Sequence, residues 1–256
     1  ARVPFELPRG AVLGERLASV LAVVYLLFHA GYTATAGPDW MRPALTTEAL
    51  RLGRMLAELA PGESEVQGLL ALMELQASRA AARVDTAGRP VLLLAQNRAL
   101  WDRLLIRRGL VALERAEALA RSPGPYALQA AIAACHARAR QADSTDWPRI
   151  AALYGVLAQV VPSPVVELNR AVAVGMAFGP DAGLDIADTL CRARSLLSYQ
   201  WLPSVRGDLL AKLGRNDEAR SEFGRAAALA RNARERELLL ARAQGLAPQG
   251  RQPPPP

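Results

Sequence analysis

His29 and His136 are the only histidines in 256 residues, and neither belongs to an H-x-x-x-H or H-E-x-x-H pattern. A zinc site would need further ligands at metal-binding spacing, and the sequence offers none. Cys135 and Cys191 lie far apart, and no C-x-x-C occurs. Cys135 precedes His136 directly, but neighbours on a helix point about 100° apart, so the two cannot act as nucleophile and base. G-x-S-x-G, G-x-G-x-x-G and G-x-x-x-x-G-K-[ST] are all missing, so nucleophile-elbow and phosphate-loop chemistry have no motif. The expectation is a protein that is not an enzyme and takes no metal or cofactor.

What remains is arginine chemistry. Of the 31 basic residues, Lys212 is the sole lysine. Arg51 and Arg54 stand three apart, Arg79 and Arg83 four apart, so each pair forms one basic helix face. Residues 79–108 carry seven arginines against Asp85 and Asp102. Such faces are either solvated and locally salt-bridged or a docking surface for an acidic protein or nucleic acid. Aromatics do not alternate with these arginines along the chain, as single-strand stacking would require, and protein is the favoured partner. Gln96-Asn97-Arg98 before Trp101-Asp102, and Asp146-Trp147-Pro148, read as helix-cap networks or as parts of a groove. Asn169-Arg170 interrupts the apolar run 165–174, where a mid-helix amide needs a partner.

Composition places these residues in a globular chain: 51% hydrophobic, 21% charged, and only 5% aromatic, so Leu, Ala and Val must fill the core. The net charge is +7, but arginine usage of this kind follows from a GC-rich genome and weakens the nucleic-acid reading. Two cysteines suit a reducing cytosol. Residues 1–10 hold Glu6 and two prolines before any apolar run, which is not a secretory signal. The most apolar stretch, Leu17–Phe28, falls short of the roughly 20 residues of a membrane span and reads as a core helix.

Helical periodicity runs almost throughout. Val66, Leu69, Leu70, Met73 and Ala77 occupy one face, with Ser64-x-x-Gln67 ahead of them as a capping box. Leu45, Ala49, Leu52, Leu56 and Leu59 form another stripe, closed by Pro61-Gly62. Pro125, Pro148, Pro164 and Pro180 sit where a helix tolerates proline, in its first turn. The expected helices are 14–36, 46–60, 64–82, 94–121, 125–140, 146–161, 164–177, 181–196, 200–213, 216–230 and 232–244. Val91–Leu94 reads as loop. Gly207, Leu210, Ala219, Phe223 and Ala226 follow the small–large–small–aromatic–small spacing of a tetratricopeptide helix pair. Ala171, Val174 and Gly183 echo it weakly, and no repeat is found before residue 160. The expected fold is all-α: stacked antiparallel helix pairs in a tetratricopeptide-like right-handed solenoid. Its expected parts are a linker over 1–13, a helical region over 14–161, tetratricopeptide-like pairs over 162–246 and a disordered proline-rich tail over 247–256.

Several stretches together carry a resemblance: 21–32 (LAVVYLLFHAGY), 48–54 (EALRLGR), 68–73 (GLLALM), Trp101-Asp102, 124–134 (GPYALQAAIAA), Asp146-Trp147 and 163–174 (SPVVELNRAVAV). Over residues 2–244 the chain resembles the C-terminal extension of bacterial extracytoplasmic-function sigma factors that carry a tetratricopeptide-like domain after their core sigma regions. It departs from that group at His29-Ala30-Gly31-Tyr32, where Asn-Glu-Gly-Tyr is usual, and at Gln96-Asn97-Arg98, where Gln-Asp-Arg is usual. Both departures remove an acid. The resemblance implies a cytoplasmic regulatory domain without catalysis that contacts the sigma core and RNA polymerase, with promoter DNA met only by sigma regions absent from this sequence, and no membrane contact. The expected docking surface combines Arg51, Arg54, Arg79, Arg83, Arg98, Gln129, Asn169 and Arg170. The alternative is a small-molecule sensor with its pocket around Tyr25, His29, Tyr32, Trp101 and Trp147.

Overall fold

The computed structural model describes residues 11–32 and 42–246. Among them the chain is all-α, with eleven α-helices, five short 3-10 turns and no strand. The helices are α1 Ala11–Tyr32, α2 Pro43–Leu59, α3 Ser64–Ala77, α4 Arg103–Leu119, α5 Pro125–Arg138, α6 Trp147–Val160, α7 Pro164–Phe178, α8 Pro180–Leu190, α9 Trp201–Lys212, α10 Asn216–Leu229 and α11 Ala233–Gln244. Each expected helix has its counterpart, and the prolines open α5, α6, α7 and α8 in the first turn. Residues 1–10 of the expected linker and the tail from 247 lie outside the described residues.

Two helix starts and one cap differ from the expectation, and α3 and α8 end early, at Ala77 and Leu190. α1 starts at Ala11, inside the expected linker. α4 starts at Arg103 rather than 94, because the Asp102 carboxylate accepts from Leu104 N and Leu105 N (2.8 and 3.0 Å) and fixes the first turn there. The capping box at Ser64 does not form: Ser64 lies inside α3, and its hydroxyl donates to the Ala116 carbonyl of α4 (2.9 Å). A tertiary bond has replaced the local one.

Neighbouring helices share apolar clusters along the stack. Leu21, Val24 and Phe28 of α1 meet Leu69 and Met73 of α3. Leu72 and Leu75 of α3 meet Leu113 of α4 and Ala130 of α5. Ile132 of α5, Ile150 and Leu157 of α6 and Ala173 of α7 form the next cluster, without a break at residue 161. Leu210, Phe223 and Leu239 bind α9, α10 and α11. This sharing of core between successive units is how a solenoid is stabilised.

Small residues mark the closest crossings. A Cβ at Gly207 would lie 2.9 Å from the Phe223 ring, and one at Gly183 would lie 2.6 Å from the Ala171 carbonyl oxygen. The weakly patterned α7–α8 pair is therefore as tightly joined as the α9–α10 pair. A Cβ at Gly68 would lie 2.7 Å from Ala127 N, so close crossings also occur before residue 160, where no repeat is legible.

Among the described residues one helix, over Gly14–Tyr32, is long and apolar enough to cross a membrane by length and composition. It extends the 12-residue apolar stretch by Gly14, Glu15 and Arg16 in front and by His29–Tyr32 behind, with Glu15 and Arg16 too few to break it. Leu21, Val24, Phe28 and Tyr32 are nevertheless buried against protein on one face. Val23 and Leu26 on the other are about two-thirds exposed, at 64% and 66%.

Candidate functional site

At the end of α3 the chain bends sharply. Ser78 donates its hydroxyl to the Leu75 carbonyl (2.7 Å), and its own carbonyl accepts from Asp102 N (2.8 Å). That clamp brings the Arg79–Arg83 turn and the Arg98–Asp102 segment together beside Tyr32. The Arg83 guanidinium lies 3.7 Å from the Tyr32 ring centroid. Arg79 lies 5.9 Å from the ring centroids of both Tyr32 and Trp101. Arg98 also lies on Trp101, 4.9 Å from its ring centroid. Arginine on an aromatic face is attractive and keeps its charge.

Aromatics and arginines thus alternate in space, although they do not along the chain. This corrects the sequence-based reading of their separation. It does not turn the strip into a base-stacking surface: Tyr32 and Trp101 are buried, and guanidinium groups already cover the rings.

Arg98 is a second correction. It is expected on a docking surface, but it is buried. Its Nη1 donates to the carbonyls of His136 and Ala139 (2.7 and 2.8 Å), and its Nη2 to Thr145 Oγ1 (3.1 Å). It closes the C-terminal end of α5, where carbonyl groups lack helical partners and a cation is favoured.

Beyond it stands His136, buried, its ring edge-on to Trp147 at 5.2 Å. Burial first, then the charges of Arg79 and Arg98, pull its pKa down to about 4, so it is neutral at pH 7. Its Nδ1 is buried without a hydrogen-bond partner, as are Arg79 Nε, Arg98 Nε and Trp101 Nε1.

Arg79 and His136 face a cavity of about 210 Å³ between α3, α5 and α6. Leu72 and Gln76 come from α3, Gln129, Ile132 and Ala133 from α5, Tyr154 from α6 and Leu93 from the loop between α3 and α4. Burial, then the neighbouring Tyr25, pushes the Tyr154 phenol up to about 12. No acidic side chain lines the cavity. The Arg79 guanidinium makes no hydrogen bond or ion pair among the described residues. No group of three or more potential metal ligands exists among them either.

The other expected site residues are distributed more widely. Tyr25 packs edge-on against His29 (6.2 Å) and Tyr126 (5.6 Å) at the α1 side of this region. Partial burial, then the Arg83 charge, lowers the His29 pKa. Gln129 lines the cavity while donating to the Pro125 carbonyl (3.1 Å). Asn169 is exposed on α7, and Arg170 is paired with Glu167 (2.8 Å), so neither belongs to the cavity. Arg51 is exposed and paired with Glu48 (2.7 Å); Arg54 is paired with buried Glu74 (2.8 Å).

Sequence reasoning missed His136, Gln76 and Tyr154 as lining groups. A signal for one of them was present: Gln129, Ile132, Ala133 and His136 follow i, i+3, i+4, i+7, an apolar helix stripe with a polar residue at each end.

A second concavity lies between α1 and α2. It has about 430 Å³ and is lined by Val20, Val23, Leu52, Met55, Leu56 and Leu59, with Ser19 and Val24 beside them. Arg51 stands at its edge, its Nη1 donating to Met55 Sδ (2.9 Å).

A family of unknown function (DUF6596) matches residues 16–117. That span holds Tyr25, His29, Tyr32, Arg79, Arg83, Arg98 and Trp101, and ends before α5. The chain is also similar to Uncharacterized protein R00370 of Rhizobium meliloti (strain 1021), with 48% identity over 235 residues. The alignment takes in 92% of this chain and 55% of that protein, so the chain spans about half the length of the curated relative it matches.

Proposed function

We propose that this chain is the C-terminal regulatory domain of an extracytoplasmic-function sigma factor, controlling transcription initiation through protein contacts with the sigma core and RNA polymerase. It acts in the bacterial cytoplasm, without catalysis, cofactor or membrane contact, and promoter DNA is met by the sigma regions alone. The observation that carries this reading is the apolar groove between α1 and α2. Exposed apolar concavities of this kind mark interaction sites. Its occupant is an amphipathic helix of the sigma core, laid in by i, i+3, i+4, i+7 anchors. The longer curated relative supports this, because its unmatched length leaves room for sigma regions.

The test is transcription in vitro from the target promoter with the full-length protein. Val23→Asp changes an exposed side chain and should leave the melting curve intact. It is expected to reduce initiation strongly, as should removal of everything from Ala1 onward. Full initiation by both variants under every inducing condition would contradict the reading. The alternative, a small-molecule-sensing helical domain, is favoured by the cavity at Arg79 and His136.

A further inference from the structure

We propose that the cavity between α3, α5 and α6 binds a small organic anion, its carboxylate or phosphate head held by Arg79 and His136. This does not depend on the sigma-factor reading.

Charge is the first argument. A buried cation is costly unless a partner or hydrogen bonds compensate it. Arg98 and His136 are each less than a tenth exposed, at 6% and 8%, and Arg79 is half-buried with its Nε enclosed. Arg98 is compensated by three acceptors. Arg79, directed at the same cavity as His136, has only the ring faces of Tyr32 and Trp101. With no carboxylate on the cavity wall, the positive potential there is uncancelled. An oxyanion would supply the missing acceptor, and guanidinium is the side chain best shaped to take one.

The unmade hydrogen bonds agree. His136 Nδ1 and Arg79 Nε are both buried and unpartnered, whereas buried polar groups in folded proteins are nearly always satisfied. Water could fill the space, but water brings no negative charge. A ligand head between Arg79 and His136 satisfies both groups and the charge at once.

Shape sets the class. About 210 Å³ lies below the roughly 300–1,000 Å³ of sites for drug-sized ligands, so the ligand is small. Gln76 and Gln129 offer neutral hydrogen bonds, while Leu72, Leu93 and Ile132 present apolar surface. The ligand therefore carries a short apolar body behind its charged head.

The chain has just two histidines, which makes their ring signals a direct readout. The intact protein would be titrated with phenyl phosphate, with phenylacetate and with neutral 2-phenylethanol, following ring nitrogen resonances by NMR and heat by calorimetry. The expected result is saturable binding of at least one anion, a shift of the His136 ring larger than that of His29, and no binding of the alcohol. Stronger binding of phenyl phosphate assigns the head as phosphate, and the reverse as carboxylate. Arg79→Gln should weaken binding by at least about tenfold, the loss expected when a charge-assisted hydrogen bond is removed; Arg51→Gln should leave it unchanged. Should Arg79→Gln fail to fold, the wild-type histidine shifts decide. Lack of saturation by both anions, equal binding of the alcohol, equal shifts of both histidines, or full affinity in folded Arg79→Gln would each overturn the proposal.

Discussion

The turn after α3 uses arginine differently from α8–α11, although the first six helices also hold ordinary ion pairs such as Arg54–Glu74. In α8–α11 guanidinium groups meet carboxylates. Arg206 reaches Asp188 (2.8 Å) and Glu222, and Glu222 also takes Arg225 (2.8 Å). Arg242 pairs with Asp208 while covering the Phe223 ring at 4.4 Å. Around the α3–α4 loop, Arg79, Arg83 and Arg98 lie on aromatic rings, and the acceptors given to Arg98 are carbonyls and a hydroxyl. One region neutralises its cations inside the framework. The other keeps the charge of Arg79 beside a cavity. That difference separates arginine that holds a fold from arginine retained for a ligand.

The comparison can be broken at several strengths. Phe28→Ala, in the core of the first region, should cost about 3–5 kcal/mol, because the ring is fully buried between α1 and α3 and stacks on Tyr32 at 5.4 Å. Chemical denaturation measures it; a loss below about 1 kcal/mol would show that this core is not built on α1.

The next effect is on pH dependence. The folded His136 pKa, about 4, is below its ordinary 6.5, so the unfolded chain binds the proton more readily. Its contribution is fully present above pH 6.5 and is lost as pH falls towards 4, about 3 kcal/mol in all. Denaturation midpoints of wild type and His136→Gln between pH 7.5 and 4 check this. The wild type should lose more, since the carboxylates titrate in both. Parallel curves would place His136 in water.

Much of the fold was legible because its signals are local. Proline in the first turn, Asp146 as an N-cap and Gly214 at φ 74° in the turn before α10 act within a few residues. Ser64 failed as a capping residue because its best acceptor, the Ala116 carbonyl, is 52 positions away. The site was legible in its parts and not in its assembly. Arg79, Arg83, Tyr32 and Trp101 were all marked, as separate basic and aromatic sets. They interleave only because the Ser78 carbonyl ties Asp102 back to the end of α3. No spacing along the chain encodes that return.

The smallest effects carry the sharpest contrast, a pair of arginine-to-methionine substitutions followed by thermal unfolding. Arg206→Met leaves Asp188 without its cation and the largely buried Glu222 with only the exposed Arg225; it should destabilise by about 2 kcal/mol. Arg79→Met removes a guanidinium that no carboxylate balances among the described residues. It should leave stability within about 0.5 kcal/mol of wild type, since this half-buried cation makes no ion pair and methionine keeps apolar volume against the rings. Opposite behaviour of the two variants is the result the account predicts. Equal destabilisation by both would show that Arg79 holds the fold as Arg206 does, and would contradict the claim that its charge is kept for a ligand.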